Sequence, residues 1–229
     1  MKVIPFSHLI YMLLPIGVVA YFYYKWLGNA KEIAVATARM TLQLLLIGYF
    51  LVYIFNNKNA FWGIFIILFM VFAASFIALR NVKKRDIKHY FKIFFSILIG
   101  GSLNLILVLY FVIDIKPLYE PRFIIPLAGM IFANAMNAIS LASERFEREI
   151  KVNGYSSARA IALKSSLIPQ INSFLAVGLV SLPGLMTGQI LSGVDPIVAV
   201  RYQIVVMAMV LGSAGISVII YLSLNKDYA

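Results

Sequence analysis

Apolar residues run in seven long blocks, at about residues 4–26, 33–55, 60–79, 90–113, 123–142, 171–191 and 204–224, separated by short polar gaps. Each block is close to the roughly 20 residues that an α-helix needs to cross about 30 Å of hydrocarbon at 1.5 Å per residue. Helix is the required form, because an open sheet leaves unpaired backbone groups in lipid. The expected fold is therefore an all-α, polytopic membrane bundle of about seven helices, built as one permease-sized domain over residues 1–229. Residues 4–26 are long enough to span and lack a small-residue cleavage pattern, so we expect a first membrane helix there rather than a cleaved leader.

Composition sharpens that picture. The chain is 62% hydrophobic and 13% charged, against about a quarter charged in an ordinary soluble domain. Its formal charge is +11, which in a soluble protein points to nucleic acid. Here the basic residues sit in the gaps, where they meet anionic headgroups and set orientation. In a seven-span arrangement fifteen of the 20 Lys and Arg fall on one side: Lys25, Lys31, Arg39, Arg80, Lys83, Lys84, Arg85, Lys88, Lys92, Arg145, Arg148, Lys151, Arg159, Lys164 and Lys226. Five fall on the other: Lys2, Lys58, Lys116, Arg122 and Arg201. The richer side is expected to be cytoplasmic, with the N-terminus outside and the C-terminus inside.

Most soluble-enzyme chemistry has no residues to run on. There is no cysteine, which excludes disulfides, thiolate metal sites and cysteine nucleophiles. His8 and His89 are the two histidines and lie on different segments, a poor start for a metal site. No acidic residue falls in the middle of a block, so carboxylate dyads and proton relays lack candidates. No GxxxxGK[ST] phosphate loop is present, so ATP would be hydrolysed by a partner.

Three features depart from plain spanning helix. The fifth gap, residues 143–169, is long and carries both signs of charge, with Glu144, Arg145, Glu147, Arg148 and Glu149 ahead of Asn153-Gly154. Gly154 is a helix stop, and Ser156 or Ser157 can cap a new start, so we expect helix, tight turn and amphipathic helix lying at the cytoplasmic surface. Such a unit either transmits force from a separate motor or is a solvated connector. Charge reversal at Glu147 and Glu149 is the variant that separates the two on sequence grounds.

Met130, Asn134, Asn137, Leu141 and Glu144 share roughly an 80° arc of helix five. That stripe either lines a translocation path or holds the bundle by interhelical hydrogen bonds, the second being the plainer reading. Helix six is interrupted at Pro183-Gly184, which predicts a kink or re-entrant break. Ser181, Thr187 and Gln189 could then face a substrate, with Asp195 at the outer end, while Gly184 and Gly188 offer GxxxG packing instead. Arg39 and Gln43 share a face of helix two, Arg201 and Gln203 follow the break, and both arginines can snorkel to the headgroups. Met130, Met136, Met186, Met207 and Met209 could contact a soft metal but more commonly fill packing gaps.

The motifs GMIFANAMNAISL (129–141), LIPQINS (167–173), VGLVSLPGLMTGQILSG (177–193) and YQIVVM (202–207), with the charged stretch 144–154 and Asp195-Pro196, resemble the FetB-type permeases of bacterial ABC transporters. Arg39, Gln43 and Gly48 also fit, whereas helices one, three and four match only in hydropathy. The resemblance implies a multi-pass permease of the bacterial inner membrane, paired with a separate FetA-like ATPase, two of each, exporting iron or another metal. ATP and Mg would sit on the partner, with no cofactor on this chain. Plant relatives are linked to aluminium tolerance, with a nucleotide sugar as a second cargo class. A stand-alone channel, an ion-driven carrier and a cargo-free scaffold are the other readings. The resemblance also makes residues 144–169 the ATPase-docking element, although Gly154 and Ile168-Pro169 are spaced more widely than in the EAA loop of import permeases.

Overall fold

The computed structural model describes residues 4–29, 31–56, 59–83, 85–117 and 119–226. Lys2, Lys58 and Lys84, three of the cations used for orientation, lie outside the described residues. The chain divides into two units at residue 57. In the first, a 3-10 turn at Phe6–Met12 runs into α1, Leu13–Leu27, which stops at Gly28. There a left-handed φ of 74° lets the Gly28 N–H reach the Tyr24 carbonyl at 2.7 Å. Helix α2, Lys31–Asn56, follows, and Tyr23 donates to Glu32 across the turn at 2.7 Å. Neither helix buries a residue, as suits segments whose apolar side chains are solvated by lipid.

The second unit holds α3 (Ala60–Leu79), α4 (Ile87–Ile106) continuing into a π turn at Leu107–Val112, α5 (Pro121–Ala176), α6 (Gly184–Leu191) and α7 (Pro196–Ser223). Starts are capped as the sequence allows: Asn59 accepts from Phe61 N–H, Asp86 from His89 N–H and Asp195 from Ile197 and Val198 N–H. Helix α7 packs against α4 and α5, and α3 packs against the same two. Their shared core is small-residue rich, with Ala74, Ala78, Ala128, Ala135, Ala138, Ala142 and Ala214 buried among Ile93, Ile97, Ile131 and Phe132. Small residues let helix backbones approach, which supplies dispersion contact where lipid leaves no hydrophobic drive. A close seam joins α4 to α7. Ser96, Ser213 and Ser217 are buried on these helices, and a Cβ on Gly100 would lie 2.8 Å from the Ser217 nitrogen.

Helix α5 is 56 residues long, about 84 Å if straight. It is not straight. At Gly154 φ is 68° and ψ 171°, a region open almost only to glycine. Beyond it the chain runs back along itself: Phe146 and Tyr155 stack edge to face at 6.0 Å, Glu144 and Ser165 line one cavity, and Asn134 and Gln170 line another. The element is a helical hairpin with arms 121–153 and 155–176. Among the described residues six helices are long and apolar enough to cross a bilayer, with α5 counted once.

Two expectations change. Residues 143–169 form the helix, tight turn and helix expected of them, but as the distal halves of two long arms packed on the bundle rather than as a separate element between two spans. Ser143, Phe146, Ala158, Ala162, Ser166 and Gln170 are buried, because small residues at i, i+4 spacing on the second arm allow it to close on its neighbours. The sixth length of helix is also displaced from 171–191 to 155–176. It ends at Ala176, where Gly178 (φ 81°) turns the chain and Val180 and Ser181 N–H return to the Ala176 carbonyl. Beyond Pro183, α6 has 8 residues, about 12 Å, too short to cross. The break expected near Pro183 is therefore present, with residues 177–183 non-helical.

Candidate functional site

Two cavities share walls, the larger where the second arm of α5, α6 and α7 meet and the smaller between the two arms of α5 and α7. The larger, about 390 Å³, is lined by Phe174, Val177, Leu182, Met186, Gln203 and Met207 among others. The smaller, about 120 Å³, is bounded by Asn134, Pro169, Gln170, Ser173, Phe174 and Met207. Phe174 and Met207 are common to both and partition them. Gln203 is 5% exposed and Gln170 6%, and the side-chain oxygen of each is buried without a hydrogen-bond partner. An orphaned amide in an apolar interior is costly, and two such oxygens stand on residues that line these cavities. Asn134 spends its amide N–H on the Met130 carbonyl at 2.8 Å, and Ser173 donates to Pro169 at 2.8 Å.

The structure thus brings Asn134 to this site, together with Gln203, for which snorkelling beside Arg201 was an open reading. Gln170 was missed, although it stands in the LIPQINS motif directly after a proline that weakens the local ladder. Asn137 is exposed and does not line either cavity. Ser181 is exposed, and its carbonyl accepts from Gly178 N–H. Pro183 is the N-cap of α6, and Thr187 donates back to Leu182 at 3.3 Å. Gln189 holds a third buried, unpartnered amide oxygen. Gly184 and Gly188 have open space where a Cβ would stand, so the close packing expected of that pair is found instead along Gly100.

Asp195, the acid at the outer break, is a helix cap, with Oδ1 2.8 Å from Ile197 N and 3.3 Å from Val198 N. Asp195→Ala should lower the stability of the α6–α7 corner by about 1 kcal/mol, and Asp195→Asn should restore it, as read by thermal unfolding in detergent. Gln43 and Arg39 are both exposed on α2. Among the methionines, Met186 and Met207 line the larger cavity, while Met209 is core. Met130 and Met136 pack against that core. Among the described residues no three His, Asp or Glu side chains come together to hold a metal ion.

The hairpin's charges are locally paired. Arg148 meets Glu144 at 2.6 Å and Arg145 meets Glu149 at 2.8 Å, both at i, i+4. Glu147 accepts from the Lys83 N–H at 3.1 Å, tying the α3–α4 connection to the first arm. Reversing Glu147 and Glu149 would therefore break the hairpin's own bonds; Glu144 and Arg148, each more than half exposed, are the better probes of a partner. Ser156 is exposed and makes no capping bond among the described hydrogen bonds, because the turn is closed by backbone geometry at Gly154.

Sequence reasoning missed a polar knot beside the turn. His89 Nε2 lies 2.7 Å from Tyr221 OH, Asn225 donates to the Tyr221 carbonyl at 2.7 Å, and Lys92 donates to Asn225 Oδ1 at 3.3 Å. Tyr155, the residue after the turn, donates to the Leu222 carbonyl at 2.9 Å. The only sequence sign was the His89/Lys92 pair at i, i+3, facing a helix end far along the chain. At the start of α5, Tyr119 covers Gly63, and burial, with the Glu120 carboxylate adding to it, raises the Tyr119 phenol above its ordinary pKa.

Lipid-length apolar helices define a multi-pass helical membrane protein, with a folded hairpin whose distal arms are charged and a break after Ala176 beside unpaired amide oxygens. The chain belongs to UPF0014, described as an uncharacterised protein family, whose sequence profile matches residues 6–228. It is 35% identical over 224 residues to the probable iron export permease protein FetB of Escherichia coli K12, covering 88% of this chain and 83% of that one. It is 35% identical to the protein ALUMINUM SENSITIVE 3 of Arabidopsis thaliana, covering 85% and 76%. It is 34% identical to the UPF0014 membrane protein STAR2 of Oryza sativa, covering 85% and 72%. No solved structure matches the chain.

Proposed function

We propose that this chain is the membrane permease subunit of an ABC transporter that exports a metal, with iron as the cargo suggested by the name of the Escherichia coli relative. Two permeases pair with two copies of a separate ATPase, which carries ATP and Mg, in the bacterial inner membrane. The N-terminus faces outward and the C-terminus the cytoplasm. The observation that carries this reading is the α5 hairpin. Its first arm, roughly 50 Å long, exceeds the hydrocarbon thickness by about 20 Å, and its charged distal half is joined by continuous helix to the cavity-lining residues Asn134 and Gln170. A push on the turn is thereby delivered along stiff helix to the interior site. Ligand-driven switching needs the two states to differ in their contacts with the partner, and Glu144, Arg148, Lys151 and Ser156 present the exposed groups for that.

The test is a charge swap, Glu144→Arg with Arg148→Glu, which keeps the i, i+4 ion pair but inverts the pattern offered to a partner. Recovery of the ATPase with the purified permease should fall at least about tenfold, with membrane insertion unchanged. Undiminished pull-down together with undiminished stimulated ATP hydrolysis sinks the docking assignment.

A further inference from the structure

Which form of cargo the interior site takes can be read from its walls, granting the transport reading above. Neither cavity is lined by a charged side chain. What they offer is apolar surface, two thioethers (Met186 and Met207), the hydroxyl of Ser173 and the amides of Asn134, Gln170 and Gln203. A bare cation that sheds its water against these walls finds no compensating charge, and apolar surroundings make that expensive. A neutral solute with hydrogen-bonding edges meets no such penalty, and the Gln170 and Gln203 side chains, whose oxygens the fold leaves without a partner, can turn to meet it.

We infer that Gln170 and Gln203 form a two-station binding site for an electrically neutral, hydrogen-bonding solute, so that a metal ion crosses here only inside a neutral complex. The larger chamber, against the α6 break, receives the solute at Gln203. The smaller holds its polar edge at Gln170 and Asn134. Phe174 and Met207, the shared wall, must move aside between the two, and Met207 has the flexible side chain for that.

The physical signature is a separation of stability from transport. An orphaned buried amide replaced by a same-sized apolar side chain removes an unpaid desolvation cost. Gln170→Leu and Gln203→Leu should therefore leave the Tm of the purified permease unchanged or raised by about 2–4 °C, while transport falls more than about tenfold. If both variants lower Tm by that amount instead, the amides are structural and the binding site is refuted, whatever the cargo.

The charge of the cargo is tested in inside-out vesicles containing the permease with its ATPase. The probes are radioiron as ferrous sulfate and as the neutral ferric tris-maltolate complex. ATP-dependent uptake of the complex, indifferent to an imposed potassium diffusion potential and lost in both glutamine variants, is the expected result. Uptake of uncomplexed ferrous ion that follows the potential and survives the glutamine substitutions overturns the proposal. Loss of the ATPase from the complex would instead defeat the transporter reading, and the Tm comparison is independent of it.

Discussion

Gly154→Val should insert into the membrane normally but pull the two arms of the α5 hairpin apart. Open space surrounds the position where its Cβ would stand, so the substitution clashes with nothing, and its cost is backbone strain alone. A β-branched residue held at φ 68° and ψ 171° costs about 1–3 kcal/mol. The chain escapes that cost by relaxing the turn, giving up the Tyr155–Leu222 hydrogen bond and the Phe146–Tyr155 ring contact. A drop in Tm of roughly 2–12 °C follows from those figures for a chain of this size. The chain has no cysteine, so Glu144→Cys with Ser165→Cys reports on closure directly: the two positions line one cavity and should cross-link with the native turn. Unchanged cross-linking in the Gly154→Val background would show that the hairpin does not depend on glycine. Loss of cross-linking together with loss of ATPase-stimulated transport would tie the turn to coupling.

Gly100→Val is expected to be comparably damaging for the opposite reason. Its Cβ would stand 2.8 Å from the Ser217 nitrogen and 3.0 Å from the Ser217 Cα. Those are backbone atoms, so no side-chain rotation relieves the overlap and α4 must separate from α7. Overpacking of this kind costs about 1–3 kcal/mol, and the displacement propagates along the same pair of helices toward the His89–Tyr221 contact. Thermal unfolding should show a loss of several degrees, on the order of 2–4 °C per kcal/mol. Gly48→Ala is the control: nothing stands within 4 Å of its Cβ, and Ala favours helix by about 0.5–1 kcal/mol. An equal loss of stability in both variants would mean that the small-residue seam has no special weight.

The polar knot explains why these two sites report on one another. Tyr155 follows the Gly154 turn and bonds the end of α7, while His89 and Lys92 on α4 bond Tyr221 and Asn225 in the same stretch. Turn, α4 and α7 thus meet within a few residues, so movement of the hairpin cannot leave the α4–α7 seam indifferent.

Much of the scaffold was readable because lipid imposes a length. The blocks at 33–55, 60–79 and 204–224 correspond to α2, α3 and α7, since apolar run and helix coincide when the solvent itself sets the boundary. Asn153-Gly154 was readable as a stop, since few residues tolerate that backbone, and Pro183 was readable as a break. That the α5 helix runs unbroken from the apolar block into the charged stretch was not, because charged residues continue a helix as readily outside the membrane as apolar ones do inside it. Hydropathy therefore placed a boundary near residue 142 where the backbone has none. The same error displaced the sixth length of helix, whose end at Ala176 is decided by the Gly178 turn rather than by any loss of hydrophobicity.

The site divides along the same line. Amino-acid order alone determined that the chain crosses lipid repeatedly, that α5 must turn at Gly154, that the segment after residue 176 is broken, and that no carboxylate or cysteine is available in the middle of a span. Each follows from a local property, whether side-chain transfer into lipid or the φ/ψ range of one residue. Tertiary structure decided which amides face a cavity without a partner, that Asp195 is spent as a cap, that Gly100 rather than Gly184 and Gly188 carries the close contact, and that His89 meets Tyr221 across the bundle. Those outcomes depend on which faces of helices far apart in the chain are pressed together, and helical periodicity specifies a face without naming its neighbour.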